Sequence, residues 1–331
     1  MIIRCRPMRP KDVAQAVGLV ASHPVAAPRY GDRIKTLAST WLRLLGRRAF
    51  CSIVLEELDG SRAQMLGAAA SVFVSDDFLR ELKTPPFFWI GPELANRLAH
   101  SNSPLLSDNE VSARNTNGGL NLVLWHLSID PEETKRPEVR TQVSGVFFEM
   151  HRGFLLKELI GLQATFPEEA YWILDGGALS LSIRNGSYVD EMDKPPNELL
   201  MVPHVFGLTR ELALKRMSWI SSIFLHQSPQ IGFSPSEQRL LLAALQGATD
   251  EELSDELSVS ISAVKKAWCS VYDRAAEHLP ECILNHDDSE DRRNGDRGKQ
   301  KKQRLLAYLR EHPEELRPYS QKVRKRSATS T

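Results

Sequence analysis

The sequence is short of cysteine pairs, of long apolar runs and of net charge, and each absence excludes something. Cys5, Cys51, Cys269 and Cys282 are scattered with no Cys-x-x-Cys pair. That excludes a disulfide framework and a zinc cluster, and it suits a reducing cytoplasm. No apolar run approaches the ~20 residues that cross a bilayer, so no membrane partner is expected. The first nine residues carry three arginines with no apolar stretch behind them, unlike a secretion signal. No Gly-x-Ser-x-Gly, phosphate-loop or His-Glu-x-x-His pattern occurs, so neither a catalytic set nor a metal site is expected. What remains is ordinary globular composition, 42% hydrophobic and 25% charged over 331 residues. That length suits two domains.

The charge balance, 42 basic against 42 acidic residues, hides an asymmetry. Residues 292–331 hold 13 Lys/Arg and 4 Asp/Glu, an excess of nine positive charges over an acidic remainder. A basic tail on an acidic body points to a polyanionic partner.

Along the chain, residues 50–57 and 65–75 read as two strands around the Asp59-Gly60 turn, because Asp-Gly readily takes positive φ. Residues 120–129 (LNLVLWHLSI) read as a buried strand. Helical spacing marks 11–20 and 139–162. Residues 102–119, rich in Ser, Asn and Gly, read as a long loop, and Lys194-Pro195-Pro196 as a break. Residues 208–225 read as a linking helix with Leu212, Leu214, Met217, Ile220 and Phe224 as its apolar set, a plausible place for dimerisation. The polar stretch 285–303 reads as a flexible linker, and 303–316 as a short amphipathic helix.

The most informative segment is 233–276, FSPSEQRLLLAALQGATDEELSDELSVSISAVKKAWCSVYDRAA. Ser234 to Glu237 form a capping box with Pro235 at the first helical position, and Gly247 suits a left-handed C-terminal cap. Thr249 to Glu252 form a second box, and Ser260 caps a third helix after a tight connection at Ser258-Val259. In that helix Ile261, Val264, Trp268, Val271, Tyr272 and Ala275 make one apolar stripe. Ser262, Lys265, Lys266 and Ser270 occupy the other side, and Cys269 beside the stripe reads as inert. Two helices joined by a tight turn, the second basic near its start, form a helix-turn-helix pattern.

These residues resemble the LuxR/GerE-type DNA-binding domain. Ser234-Pro235-Ser236-Glu237, Gly247 to Ser254 and Ser260 to Lys265 fall at its spacings without gaps over about 45 residues. Ser258 stands where that family usually has Gly, and Ala263 and Ala267 replace residues that are commonly polar. The resemblance implies a four-helix domain whose third helix enters the major groove of double-stranded DNA, usually as a homodimer. It also implies Lys265 and Lys266 on phosphates or bases, with Thr249 and Ser260 aiming helix N-termini at the backbone. Residues 232–280 are acidic, with four Lys/Arg against eight Asp/Glu. Arg292, Arg293, Arg297, Lys299, Lys301, Lys302 and Arg304 are therefore expected to supply phosphate attraction.

Residues 2–12 (IIRCRPMRPKD), the paired strands, the 120–129 strand and the helix after it resemble the GNAT acetyltransferase family. That resemblance implies an acyl-CoA cofactor held at Gln142 to Phe147, with Gln142 and Gly145 as the matching positions. Phe147 departs from the small residue usual at the last place. Glu149 and His151, two apart on a helix, make a poor acid–base pair. His126, Trp125 and Trp172 read as core residues. The expected architecture is an α/β domain over 1–205 with a GNAT-like mixed sheet, a connecting helix at 206–231, an all-α LuxR-type domain at 232–280, and a linker and basic tail at 285–331. The expected function is a transcriptional regulator that is not an enzyme, with DNA, a second copy and RNA polymerase as partners and no cofactor. The alternative is N-acyl transfer from acyl-CoA, with the helix-turn-helix serving localisation or protein contacts.

Overall fold

The computed structural model describes residues 2–320 apart from 61, 101, 131, 162, 167–168, 170–176, 182, 185–186, 189–197, 199, 217, 246 and 281–293. The Lys194-Pro195-Pro196 break, Trp172, Arg292 and Arg293 therefore lie outside the described residues. Contacts divide the chain into two units, Met1–His151 with Leu155–Phe224, and Arg152–Phe154 with Leu225–Thr331.

The first unit is a mixed α/β layer structure. Strand β1 (Ile2–Pro7) is followed by helices α1 (Val13–Ser22), α2 (Ala26–Tyr30) and α3 (Ile34–Leu44). Strands β2 (Phe50–Asp59) and β3 (Arg62–Val74) form the hairpin read from Asp59-Gly60, with Gly60 at φ +58. Helices α4 (Asp76–Leu82), α5 (Ile90–Ala99) and α6 (Asp108–Thr116) precede β4 (Leu120–Ile129). Then come α7 (Pro137–His151), β5 (Leu156–Ile160), β6 (Leu179–Ser180), a small ribbon of β7 (Ile183–Arg184) with β8 (Ser187–Tyr188), β9 (Phe206–Thr209) and α8 (Arg210–Arg216).

The seven-stranded sheet has the order β1-β2-β3-β4-β5-β9-β6. Its neighbours are antiparallel except for the β4–β5 pair. Period-two alternation divides its faces. Ala68, Ala70, Val72 and Val74 of β3 join Trp41, Phe50 and Trp125 in the core beneath α1, α3 and α5. Ala69 and Ser71 turn the other way, toward α7. At the β1 edge, buried Glu56 accepts from Arg4 and Arg6, and Arg6 also grips Asp12 at 2.6 Å.

Three sequence expectations are corrected in this unit. The loop read over 102–119 contains α6, whose start is fixed by a capping box between Ser107 and Glu110. The helix read over 139–162 stops at His151, after which β5 pairs in parallel with β4. The linking helix read over 208–225 is instead the end of β9, α8 and a 3-10 turn at Trp219–Phe224. Here sheet hydrogen bonding overrode helical spacing: Leu208 pairs with Leu159 and is fully buried.

The second unit is helical. Helices α9 (Pro235–Leu245), α10 (Asp250–Leu257) and α11 (Ile261–His278) start and stop where their caps specify. Thr249 and Ser260 accept from the N–H groups of Glu252 and Ala263, and Gly247 takes φ +87. The turn between α10 and α11 is made by Ser258 at φ 53, ψ 45, the one non-glycine with positive φ among the described residues. Serine thus holds the left-handed cap that glycine normally serves.

The flexible linker read over 285–303 is corrected in part: α12 (Asn294–Glu311) is helical from Asn294 onward. The reason is tertiary. Leu305, Leu306 and Leu309 enter the same core as Phe233, Leu241, Val264 and Trp268. A 3-10 turn at Pro313–Leu316 then brings in Glu315, wholly buried, whose carboxylate accepts from the backbone N–H groups of Gln230, Ile231 and Gly232.

Two outcomes follow from this packing. Ser258→Gly should raise the stability of the second unit by up to about 1 kcal/mol in urea unfolding, since it removes the left-handed penalty, while Ser258→Val should lower it. A chain ending at residue 293 should lose amide protection throughout 235–278, because the removed segment supplies core leucines and a buried carboxylate. Intact protection would contradict the docked helix.

Candidate functional site

Two places in the described residues present chemistry, one in each unit. In the first, β4 runs to Ile129 but stays bonded to β5 only from Leu120 to Val123, after which the two strands part. On the other edge of β5, Glu158, Leu159 and Ile160 pair with β9, and the Gly161 N–H donates to Phe206 O at 2.6 Å. A Cβ at Gly207 would lie 2.2 Å from Leu159 O, so only glycine admits this close approach. The gap beside β4, covered by α7, is a chamber of about 460 Å³. Leu124 and Leu127 of β4, Leu159 of β5, and Val143, Phe147 and Met150 of α7 give it an apolar lining.

Within that lining sits one hydrogen-bonded polar pair. Ser71 Oγ lies 2.7 Å from His151 Nε2, and His151 Nδ1 lies 2.8 Å from the Phe147 carbonyl. A carbonyl only accepts, so Nδ1 carries the proton, Nε2 is the acceptor and the Ser71 hydroxyl donates to it. Both side chains belong to residues only 2% exposed. This is the hydrogen-bonding order of a nucleophile, a base and an orienting group. The Ser71–His151 contact was not legible: 80 residues separate the partners, and no motif joins them.

The chamber's other titratable groups are Arg140, His126 and Glu169. Burial pushes the Glu169 carboxyl up to about 7, against the pull of the Thr165 N–H and hydroxyl. His126 is 6% exposed, bonds Ser128 Oγ at 2.9 Å and packs edge-on against Tyr30 and Trp41, as a core histidine does. Trp125 is likewise core and donates to the Gly91 carbonyl at 3.1 Å.

Gln142 and Gly145, matched in sequence to a phosphate-holding loop, stand inside α7 rather than before it. This corrects the loop placement, because a residue in mid-helix has its N–H committed to the carbonyl four residues back. The chain that does precede α7 carries Asp130, Glu132 and Glu133, with Glu138 in the first turn. Its Arg136 donates to Glu57, Glu133 and Glu138 at 2.8, 2.8 and 3.0 Å. Acidic side chains there oppose a pyrophosphate.

In the second unit, α11 buries Val264, Trp268, Val271 and Ala275 and leaves Ser262, Lys265 and Lys266 exposed. Thr249 and Ser260 are exposed too, with their oxygens employed as caps. Ser270 is exposed as well. Its hydroxyl donates to Glu237 at 2.7 Å, beside Arg274 at 3.0 Å, and so ties α11 to α9. Burial would raise the Glu237 carboxyl, yet the Ser234 N–H, the Ser270 hydroxyl and Arg274 hold it below the usual range. Cys269 is exposed. Lys302 is not free tail charge: it pairs with Asp250 at 3.4 Å and lies over the Trp268 ring at 4.6 Å. Lys301 is exposed and Arg304 half-buried, and Arg297 and Lys299 belong to α12.

No protein-family profile matches the chain, and no curated protein matches it. Among solved structures, a spermidine/spermine N-acetyltransferase from Vibrio cholerae is similar at 11% identity and a TM-score of 0.34. The match covers 65% of this chain and 99% of that one. No helix of the described residues is long and apolar enough to cross a membrane.

His126 yields a pH test. Burial, aided by nearby His23, pushes its imidazole down to about 3, so the folded unit keeps it neutral. The unfolded chain takes up a proton near 6.5, so stability falls as pH drops from about 6.5 toward 3, by up to about 1.4 kcal/mol per pH unit. His126→Gln should flatten that slope in urea unfolding between pH 7 and 4.5. Equal slopes in both proteins would refute the assignment.

Proposed function

We propose that the chain is a sequence-specific DNA-binding regulator in which the first unit senses or dimerises and α11 reads the major groove. One observation carries this: α11 buries Val264, Trp268, Val271 and Ala275, leaves Ile261 at the start of its stripe exposed, and offers Ser262, Lys265 and Lys266 to solvent on the opposite side. A capped N-terminus with small polar and basic side chains suits phosphate oxygens and base edges. The short turn at Ser258 sets α10 against the start of α11, as helix-turn-helix readers require. The exposed carboxylates of Glu251, Asp255 and Glu256 on α10 oppose DNA, so binding is expected to be salt-sensitive and to favour docking by α11 alone. Dimeric binding on an inverted repeat and a contact to RNA polymerase belong to the same reading.

The second reading is N-acyl transfer from acyl-CoA. The succession of β1, α1, the β2–β3 hairpin, β4 and α7 is what the GNAT resemblance implies, and the Ser71–His151 pair offers proton-transfer chemistry. The acidic approach to α7 weighs against it.

The test is selection of a short inverted repeat from random DNA, followed by anisotropy titration over a salt series. Lys265→Ala with Lys266→Ala should abolish specific retention and lower the salt slope by up to about two. Wild-type affinity in that double variant would remove α11 from the DNA interface. Acetyl-CoA turnover on an amine would favour the enzyme.

A further inference from the structure

The chamber beneath α7 is built for a ligand that the DNA-binding reading does not specify. Its volume, about 460 Å³, falls within the ~300–1,000 Å³ of small-molecule sites. α7 itself is unusual for a covering helix. Of its 15 residues only Val139 and His151 are buried, while Val143, Phe147 and Met150 line the chamber half-exposed. These apolar side chains face space that only an apolar occupant would fill favourably.

The polar groups define which end of the occupant goes where. The Ser71 hydroxyl is spent on His151, and His151 Nδ1–H on the Phe147 carbonyl. This pair therefore offers an incoming group the Ser71 lone pairs, an acceptor, and no donor for an anion. Glu169 is held by the Thr165 N–H and hydroxyl. The cation on the lining is Arg140, exposed, with no ion pair among the described residues. One turn earlier Arg136 is committed to three carboxylates. We propose that the chamber binds a carboxylic acid with a single hydrocarbon tail, the tail under α7 and the carboxylate at Arg140. As the signal of the first unit, this ligand rests on the regulator reading; as a binding site it does not.

The experiment uses the full chain and titration calorimetry with decanoic acid, decan-1-ol and decanoyl-CoA, each below its aggregation threshold. Decanoate should bind at one per chain. Arg140→Gln should weaken decanoate by about three- to tenfold and leave decanol unchanged. Val143→Trp, on the half-exposed face of α7, should fill the chamber and abolish binding of both while the thermal unfolding midpoint is retained. The proposal is overturned if decanoate binds Val143→Trp as well as wild type, or if Arg140→Gln leaves decanoate affinity unchanged. It is also overturned if decanoyl-CoA binds far more tightly than decanoate, since the thioester lacks the carboxylate and brings a nucleotide head. Anisotropy on the selected DNA with and without decanoate separates the two readings. Calorimetric binding with unchanged DNA retention supports the site and removes its regulatory role.

Discussion

The first unit depends on how briefly β4 and β5 stay together. Four residues of parallel pairing hold β5, with β9 on its far edge, in the sheet. Had pairing continued to Ile129, the sheet would be closed and α7 would lie on packed side chains. Because it stops at Val123, β4 keeps five more residues pairing with β3 on its other edge, Leu124, His126, Leu127, Ser128 and Ile129, while its β5 side faces the chamber. The register shift opposite Ala70 and Ser71 leaves Trp125 of β4 as the extra residue beside the same region. Ser71 lies on the face of β3 that alternation turns toward α7, where it meets His151. The apolar chamber, its internal polar pair and the sparse burial of α7 are consequences of one interrupted ladder.

The second unit depends on a different constraint, the closure of two short helices and α11 by a fourth helix. Helices of eight and eleven residues are marginal alone and take their stability from packing. Here α12 and the Glu315 carboxylate complete the core. The basic C-terminal region is therefore not simply an arm: its apolar face is structural, and Lys302 serves the Asp250 and Trp268 contacts. Among the described side chains of that helix, Lys301 and Arg310 are exposed.

Much of the local structure could be read from the residues. Capping boxes at Ser234 and Thr249, the cap at Ser260, the glycine stop at Gly247 and the Asp59-Gly60 hairpin each act within four residues, so their geometry is written in adjacent side chains. The 120–129 strand was legible because a continuous apolar run of that length fits a strand buried on both faces. Failures came where distant partners decide. The 208–225 segment has helical spacing, yet Phe206–Thr209 is claimed by β5 and β6. Gln142 and Gly145 match a loop pattern, yet Pro137 starts the helix before them. Ser107 and Glu110 carried a capping box inside a stretch whose Ser, Asn and Gly content read as loop.

By itself, then, the sequence determined the α/β and all-helical classes, the starts of α9, α10 and α11 and the exposed set Ser262, Lys265 and Lys266. These follow from short-range rules of capping and periodicity. Only the tertiary structure decided that Ser270 ties α11 to α9 through Glu237, that α12 is core, and that Ser71 and His151 meet in a chamber. Each of those depends on sheet register or helix docking across tens of residues, where burial and hydrogen-bond satisfaction outweigh local preference.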